Sequence, residues 1–188
     1  FINFKLKGSV LFTAAIQAAT QEFGDATNAT KVIGVEYLSP NTNKPLHLGH
    51  VRNGVLGTAL ANLYKARGHP VVKLMLINDR GVHIMMSMLA YELFGEGATP
   101  ESAGQKPDHF VGAFYVRYNQ VDAAERKELQ LSEDAKSSFD ETIASMLKRW
   151  EDGDPQLVEL WKTMNSWVYA GFKVTNQRYG FKFDKVLY

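Results

Sequence analysis

The 188-residue sequence has no cysteine, six prolines and no long uninterrupted run of apolar residues. Without cysteine, a disulfide framework, a thiolate metal site and a cysteine nucleophile are excluded, and a reducing, cytoplasmic setting is expected. No stretch approaches the roughly 20 apolar residues that a membrane span requires, and the first residues lack the charged-then-apolar order of a signal peptide. We therefore expect a soluble protein that has no membrane partner.

The composition is that of an ordinary globular domain, with 45% apolar and 22% charged residues and a net charge of +1. The charge is nevertheless segregated, because residues 31–80 contain seven Lys or Arg residues and two acidic ones, whereas the remainder after residue 80 is acidic. A polyanion such as a nucleotide phosphate would be drawn to the first half. The chain begins without methionine and ends on an apolar run, so we expect both ends to have been cut from something longer.

Hydrophobic periodicity predicts alternating strands and helices. Residues 31–37 and 71–77 are short apolar runs typical of buried parallel strands. Between them, a stripe of helical spacing predicts a helix over residues 48–67 that ends at Gly68; the stripe consists of Val51, Val55, Leu56, Ala59, Leu60 and Leu63. The other predicted elements are a strand over residues 1–6, a helix over 9–23, a break at 24–28, a helix beyond 81, a break at 95–107, helices over 108–130, 133–151 and 155–179, and a strand over 181–188.

A strand, loop, helix and strand in this order form a βαβ unit, whose crossover is right-handed and whose ligands bind at the carboxyl ends of the strands. The two polar loops, residues 39–47 and 78–81, follow the two strands and are therefore predicted to lie at that edge. In the second loop, Asp79 is interpreted as a residue that shapes the turn through its own backbone.

The tetrapeptide His47-Leu48-Gly49-His50 lies where the first polar loop becomes the helix. Unpaired backbone N–H groups at such a position already favour phosphate. Two imidazoles three residues apart project from one face of the first turn, and Gly49 lets a purine or ribose approach the backbone. In a nucleotidyl transfer, the imidazoles would donate hydrogen bonds to the negative charge that develops on the α-phosphate and pyrophosphate. Lys44, one turn upstream, adds a positive charge.

Other interpretations of the two histidines remain open at this point. They can be hydrogen bonders at a helix start or a chance occurrence, and a His-x-x-His pattern can ligate a metal ion. A zinc site would require a third ligand of matched spacing, and the sequence has neither a cysteine nor a nearby His-rich segment to supply it. We therefore predict no protein-bound metal.

The surroundings of the tetrapeptide resemble a known family. Residues 35–53, VEYLSPNTNKPLHLGHVRN, are similar to the signature block of arginyl-tRNA synthetases, with the His-x-Gly-His element of class I synthetases near the end. The resemblance, of bacterial type, continues through residues 77–84 (INDRGVHI), 108–112 (DHFVG) and 161–184. Residues 1–6 look like the last strand of the family's N-terminal tRNA-contacting domain. Nucleotidyltransferases of the cytidylyltransferase type share only the tetrapeptide.

This resemblance implies a fold and a division of the chain. The fold is α/β, the Rossmann-like nucleotide-binding fold of class I synthetases, here its first half with parallel strands and a largely helical insertion. Residues 1–25 would be the tail of the N-terminal tRNA-contacting domain and a linker helix. Residues 26–188 would be the first half of the catalytic domain, with a helical segment at about 108–179.

The resemblance also implies a function for the parent protein. It would activate L-arginine with ATP and Mg²⁺ to arginyl-adenylate and transfer arginine to tRNA(Arg), with tRNA bound first, and it is expected to be a monomer. Carried over by position, the ATP-binding residues are Pro40, Asn41, Lys44, His47, Leu48, Gly49 and His50, of which His47, His50 and Lys44 act in catalysis. The arginine-binding residues are Glu36, Ser39 and Asn41, whose oxygens suit an α-ammonium group.

Several parts of the family pattern do not occur in this sequence. It has no Lys-Met-Ser-Lys-Ser-like loop, which is the second ATP element, and no anticodon-binding helical domain. The family's Tyr and Asp that hold the arginine guanidinium also belong to the absent half. We expect the fragment alone to have weak activity or none. Two competing hypotheses are a small-molecule nucleotidyltransferase with a His-x-Gly-His site and a non-catalytic nucleotide-binding or folding module.

Overall fold

The computed structural model describes residues 5, 7–20, 31–132 and 134–188, apart from the side chains of residues 18–20. The strand predicted over residues 1–6 lies outside this part of the chain except for Lys5, which belongs to no strand, and the break predicted at 24–28 lies wholly outside it. The helix predicted over residues 9–23 is confirmed as α1, Gly8–Thr20, as far as it is described.

A parallel three-stranded sheet organises the described chain. Its strands are β1 (Ile33–Glu36), β2 (Val71–Leu76) and β3 (Lys185–Leu187), and β2 lies in the centre. Ile33 lies opposite Val71, and Leu74 lies opposite Lys185. The helix between β1 and β2 is α2 (Leu48–Ala66), so the predicted βαβ unit is confirmed.

Four helices lie between β2 and β3 and account for the predicted helical run. They are α3 (Val82–Phe94), α4 (Pro107–Glu128), α5 (Ser138–Glu151) and α6 (Pro155–Tyr179). α5 begins at Ser138 rather than at residue 133, because Ser137 caps it: the Ser137 hydroxyl accepts from the Asp140 N–H, and the Asp140 carboxylate accepts from the Ser137 N–H. None of the described helices is both long and apolar enough to cross a membrane.

The core lies where α3, α4 and α6 pack together. Met85 and Met88 on α3 are completely buried. Tyr91, Phe110 and Trp167, one from each helix, meet edge to face with ring centroids 5.6 to 6.3 Å apart. Such aromatic contacts stabilise a fixed relative position of the helices in addition to the burial of apolar area. These contacts join α3, α4 and α6 into one packed unit beside the sheet.

Most of the apolar stripe of α2 does not face the core, although such a stripe ordinarily does. Val51, its first member, is half-buried against the core. The buried residues of α2 are Gly54, Gly57 and Ala61. A Cβ atom added at Gly57 would lie 2.3 Å from the ring of Tyr37, so α2 approaches the sheet closely through its small-residue face. The large apolar side chains, 46–65% exposed, are therefore on the other side; they are Val55, Leu56, Leu60 and Leu63.

The prediction that β1 is a buried strand is wrong for most of its length. Within β1 only Val35 is buried, Ile33 is half-buried, and Gly34 and Glu36 are exposed. The same prediction is wrong for most of β2, although β2 lies in the centre of the described sheet: only Met75 is buried, Leu76 is exposed and the other four residues are half-buried. A run of Val and Ile residues indicates a strand but does not reveal how completely the two faces of the sheet are covered.

Candidate nucleotide-binding site

The two polar loops lie at the carboxyl edge of the sheet, as predicted, and they are also in direct contact. The Asn78 Nδ2 atom donates to Asn41 Oδ1 at 3.0 Å. The backbones are also joined, because the Asn78 N–H donates to the Pro40 carbonyl at 3.0 Å and the Thr42 N–H donates to the Asn78 carbonyl at 3.1 Å. The loop after β1 is thereby attached to the end of β2. Its amide and carbonyl groups are held in place before any ligand binds.

The chain leaves β1 through a strained backbone. Leu38 and Ser39 have φ values of 69° and 39°, in the left-handed region that residues with side chains rarely adopt. The Ser39 hydroxyl supports this conformation, because it donates to Glu36 Oε1 at 2.8 Å and accepts from the Leu76 N–H at 3.2 Å. Glu36, Ser39 and Asn41, the residues predicted to bind the amino acid, therefore lie in one short segment, and the Glu36 carboxylate is exposed.

His47 and His50 form a reciprocal cap at the start of α2. The Nδ1 atom of His47 accepts from the Gly49 N–H at 3.1 Å, and the Nδ1 atom of His50 accepts from the His47 N–H at 3.1 Å. Because both Nδ1 atoms are acceptors, each neutral imidazole carries its proton on Nε2. The helix start thus fixes the tautomer of both rings. Each ring keeps an Nε2–H donor available for a ligand.

The electrostatics of the site favour the neutral form of His50. The two ring centroids are 4.0 Å apart. Burial lowers the pKa of His50, and the neighbouring His47 and Lys44 lower it further, so His50 is neutral at pH 7. The Lys44 ammonium is exposed and has no hydrogen bond or ion pair with any residue that the structure describes. It therefore supplies positive charge beside the Nε2–H donors of the two imidazoles.

Gly49 leaves room for the His47 imidazole at the start of α2. A Cβ atom added at Gly49 would lie 2.9 Å from the Cε1 atom of His47 and 3.1 Å from its Nδ1 atom. A side chain there would displace the imidazole from the N–H group that it accepts from. The glycine therefore keeps the cap closed and the helix start accessible, since Gly49 is itself exposed.

The position of the loop before the histidines depends on α4. Gly112 of α4 lies against Pro45, and an added Cβ would be 2.6 Å from Pro45 Cδ and 3.6 Å from Lys44 Cα. Proline has a rigid ring, so it cannot move aside as a flexible side chain could. The packing of α4 against Pro45 therefore fixes the position of the loop that carries Lys44 and leads into His47.

Replacing Gly112 with alanine should therefore disturb the site without unfolding the protein. The methyl group displaces Pro45, and because reacting groups misplaced by about 1 Å lose about 100-fold in rate, a shift of a few tenths of an ångström should lower kcat/KM about tenfold. Overpacking against Pro45 costs about 2 kcal/mol, and the helix propensity of alanine returns about 1 kcal/mol, so the net loss of stability should be about 1 kcal/mol.

Pro45→Ala supplies the matched suppressor, because it removes the Cδ atom that the methyl group meets. In the Pro45→Ala background, adding Gly112→Ala should therefore cost little, so the double variant should have nearly the kcat/KM of Pro45→Ala alone. Steady-state kinetics of the parent protein measure this. A Gly112→Ala variant with wild-type kcat/KM, or a loss that Pro45→Ala leaves uncorrected, would show that this contact does not position the loop.

The side chain of Asp79 does not shape its own turn, contrary to the interpretation from sequence. Asp79 is 4% exposed, and its carboxylate accepts a hydrogen bond from the Tyr169 hydroxyl at 2.7 Å. Its carbonyl accepts from Trp161 Nε1 at 2.6 Å. Both partners are on α6, so Asp79 fixes α6 to the end of β2. Burial and the Asp79 carboxylate raise the pKa of Tyr169, which remains a neutral donor.

The predicted site residues thus lie together on one edge of the sheet, and sequence reasoning missed two of their neighbours. Asn78 holds Asn41, and Gly112 supports Pro45. The position of Asn78 directly after β2 could have revealed it, whereas no sequence signal connects Gly112 with Pro45. In the part of the chain that the structure describes, no three His, Asp or Glu side chains converge as a metal site would require.

Comparisons with known proteins agree with this geometry. A family model described as the catalytic domain of class I tRNA synthetases (R) matches residues 12–185. The chain is 48% identical over 176 residues to the arginine–tRNA ligase of Bacteroides thetaiotaomicron, an alignment that covers 89% of this chain and 30% of that protein. It is 43% identical over 195 residues to the arginine–tRNA ligase of Amoebophilus asiaticus, which covers 100% and 33%. The chain thus spans about a third of these relatives' length.

Two solved structures show the same fold. The arginyl-tRNA synthetase of Thermus thermophilus has a TM-score of 0.62 and 23% identity, with 98% of this chain and 27% of that chain covered. The enzyme of Plasmodium falciparum has a TM-score of 0.60 and 12% identity, with 97% and 30% covered. The predicted α/β fold, the parallel-stranded nucleotide-binding fold of class I synthetases, is confirmed.

Proposed function

We propose that the parent protein of this chain is an arginine–tRNA ligase, because the chain belongs to the family of class I tRNA synthetase catalytic domains specific for arginine. The parent would activate L-arginine with ATP and transfer it to tRNA(Arg). The observation that carries the chemistry is the reciprocal cap of His47 and His50, which leaves two Nε2–H donors at the carboxyl edge of a parallel sheet. Such donors, fixed in advance, are what a transition state with developing phosphate charge requires.

The ATP site would be formed by the loop before α2 and by its first turn. The members are Pro40, Asn41, Lys44, His47, Leu48, Gly49 and His50. The arginine carboxylate attacks the α-phosphorus, the bond from this phosphorus to the bridging oxygen of the β-phosphate breaks, and pyrophosphate leaves. The negative charge that develops on the α-phosphate and pyrophosphate oxygens would be balanced by Lys44, His47 and His50. The neutral state of His50 suits it for donation without a proton transfer.

The arginine α-ammonium group would bind to Glu36, Ser39 and Asn41. The exposed Glu36 carboxylate, already oriented by Ser39, is a charged acceptor for it. Transfer then follows when a ribose hydroxyl at the tRNA end attacks the adenylate carbonyl carbon; its proton is lost, the ester forms, and AMP leaves. Mg²⁺ would accompany the ATP phosphates rather than sit in a protein cage, since Mg²⁺ commonly binds through substrate phosphates.

The remaining expectations are part of the same proposal. Residues 1–25 would be the end of an N-terminal tRNA-contacting domain with a linker, and residues 26–188 the first half of the catalytic domain. The parent would be a cytoplasmic monomer. The 188 residues alone would have weak activity or none, because the second ATP element is absent from this sequence.

Arginine-dependent ATP–pyrophosphate exchange by the full-length parent tests the proposed function. We expect exchange with L-arginine in the presence of tRNA, and none when lysine replaces arginine or when no amino acid is added. Exchange that needs no amino acid, or transfer of a nucleotidyl group to a small acceptor instead, would favour the nucleotidyltransferase alternative. A parent that binds ATP but neither exchanges nor charges tRNA would favour the non-catalytic module.

A further inference from the structure

A cavity of about 400 Å³ lies between α6 and the strands β2 and β3. Its floor consists of buried apolar side chains, which include Met75 of β2, Phe172 of α6 and Phe181. None of the described residues assigned above to ATP or to arginine lines it. Its volume falls in the range of ordinary small-molecule pockets, about 300–1,000 Å³. It is therefore a candidate binding site that the proposed reaction does not use.

Asn176 of α6 supplies this cavity with an unpaired hydrogen-bond acceptor. The residue is 8% exposed and lines the cavity, and its Oδ1 atom has no hydrogen-bond partner in the part of the chain that the structure describes. The Nδ2 atom donates to Met75 Sδ at 3.9 Å. A thioether sulfur can only accept, so this contact distinguishes the two ends of the amide and leaves the oxygen free. A ligand N–H that reaches Oδ1 would satisfy a buried group for which the described residues provide no donor.

The mouth of the cavity combines one cation with an aromatic ring. Lys173 and Tyr188 line the cavity and are both exposed. The Lys173 ammonium has no hydrogen bond or ion pair with any described residue. The ring of Tyr188 contacts that of Tyr169, with centroids 4.8 Å apart, and the Tyr169 hydroxyl is held by Asp79 at 2.7 Å. The mouth therefore offers a single positive charge beside a supported aromatic wall.

We propose that this cavity binds a planar aromatic carboxylate that carries one ring N–H. The ring would lie on the apolar floor, its N–H would donate to Asn176 Oδ1, and the carboxylate would pair with Lys173 at the mouth. A monoanion suits the site better than a triphosphate, because Lys173 is the one Lys or Arg among the described residues that line it. Adenine nucleotides also combine a flat ring, N–H donors and negative charge, so the test includes ATP as a competitor.

Three related compounds and the full-length parent test the site, with binding measured by ligand-observed NMR titration. Indole-3-acetate carries the N–H and the carboxylate, benzothiophene-3-acetate has sulfur in place of the N–H, and indole-3-acetamide lacks the charge. Indole-3-acetate should bind with a Kd of about 0.1 to 1 mM, as expected for a ligand of this size. Benzothiophene-3-acetate should bind about five- to tenfold more weakly, because it cannot donate to Asn176.

Two variants assign these differences to the proposed contacts. Asn176→Leu should weaken indole-3-acetate to the affinity of benzothiophene-3-acetate and leave the latter unchanged. Lys173→Gln should weaken indole-3-acetate about two- to fivefold, as expected for an exposed charge pair, and leave indole-3-acetamide unchanged. Asn176→Leu removes an unpaired buried oxygen, so it should unfold at no lower temperature than wild type. Were it not to fold, the two ring systems compared on the wild-type protein would still test the acceptor.

Asn165→Leu and Lys162→Gln are the matched controls. Asn165 is also a buried asparagine of α6 with one amide atom unpaired, Lys162 is an exposed lysine of the same helix, and neither lines the cavity. Both should bind all three compounds as wild type does. The proposal is overturned if indole-3-acetate does not bind at millimolar concentration, or if it binds no more tightly than benzothiophene-3-acetate. Displacement of indole-3-acetate by ATP or L-arginine also overturns it and assigns the cavity to those substrates.

Discussion

His47→Asn should lower kcat/KM for arginine activation by the parent about 100- to 1000-fold, the usual loss on removal of one preorganised donor to developing charge. Its free energy of unfolding should stay within about 0.5 kcal/mol of wild type, because asparagine is among the best N-cap residues. The Asn side chain can accept from the Gly49 N–H as His47 does now. It has no group at the position of Nε2.

This substitution separates two interpretations of the histidine pair that the sequence leaves open. If His47 serves only to cap α2, an asparagine should retain wild-type kinetics. If the Nε2–H of His47 donates to a phosphate, His47→Asn should keep the start of α2 stable but lose activity. His47→Ala removes both contributions, so it should lose activity and also destabilise the start of α2 by about 1 kcal/mol.

His50→Gln is the companion experiment at the other histidine. Glutamine at this position of a capping box can still accept from the His47 N–H, so the cap persists while the imidazole is lost. Steady-state kinetics and thermal unfolding of the variants answer both questions. Wild-type kcat/KM in His47→Asn would remove His47 from the catalytic assignment. Because the glutamine amide has N–H donors of its own, a loss of kcat/KM in His50→Gln would show that the imidazole of His50 itself is required.

The site was more predictable from sequence than the packing that supports it. The order strand, polar loop and helix determines that residues 39–47 lie at the carboxyl edge, because parallel strands place their ends there. A capping role for His47 was one of the interpretations that the sequence left open, and the structure shows that cap. These inferences require only local structure and one topological rule.

Contacts between distant segments could not be predicted in the same way. Asp79 contacts Trp161 and Tyr169, and Pro45 contacts Gly112, in each case through a helix whose position depends on the packing of the helical run. Asp79 near a glycine has a satisfactory local explanation, and that explanation was wrong. A single sequence does not reveal which distant segments lie close together in the fold. The interpretation of a residue therefore rests on its neighbours along the chain.

The orientation of α2 illustrates the same limit. Periodicity correctly predicts the helix. Large apolar residues form one stripe along it and small residues form another, and hydrophobicity alone selects the large apolar stripe, which is not the one that packs against the sheet. What decides the orientation is how closely the helix must approach Tyr37. The opposite side of α2, with Leu56, Leu60 and Leu63, is exposed in this segment, which spans about a third of its relatives' length.

The close approach of α2 predicts a large effect for Gly57→Ala. The added Cβ would be 2.3 Å from Cγ and 2.5 Å from Cβ of Tyr37, distances at which the helix and the sheet must separate. Tyr37 is 6% exposed and its hydroxyl donates to the Lys182 carbonyl at 3.0 Å, so its ring has little freedom to move. Overpacking of this kind costs about 3 kcal/mol, and the helix propensity of alanine returns about 1 kcal/mol. We expect urea denaturation to show a net loss of about 2 kcal/mol.

Gly8→Ala is the matched control, because Gly8 is also at a helical position and an added Cβ there has nothing within 4 Å. It should be neutral or slightly stabilising. Tyr37→Ala removes the Cγ and Cδ1 atoms that the added methyl group meets at 2.3 and 2.6 Å, so the double variant Gly57→Ala/Tyr37→Ala should lose less stability than the sum of the two single changes. If Gly57→Ala is as stable as Gly8→Ala, α2 does not pack on β1 through its glycine face, and the position of the capped histidines at its first turn would need a different support.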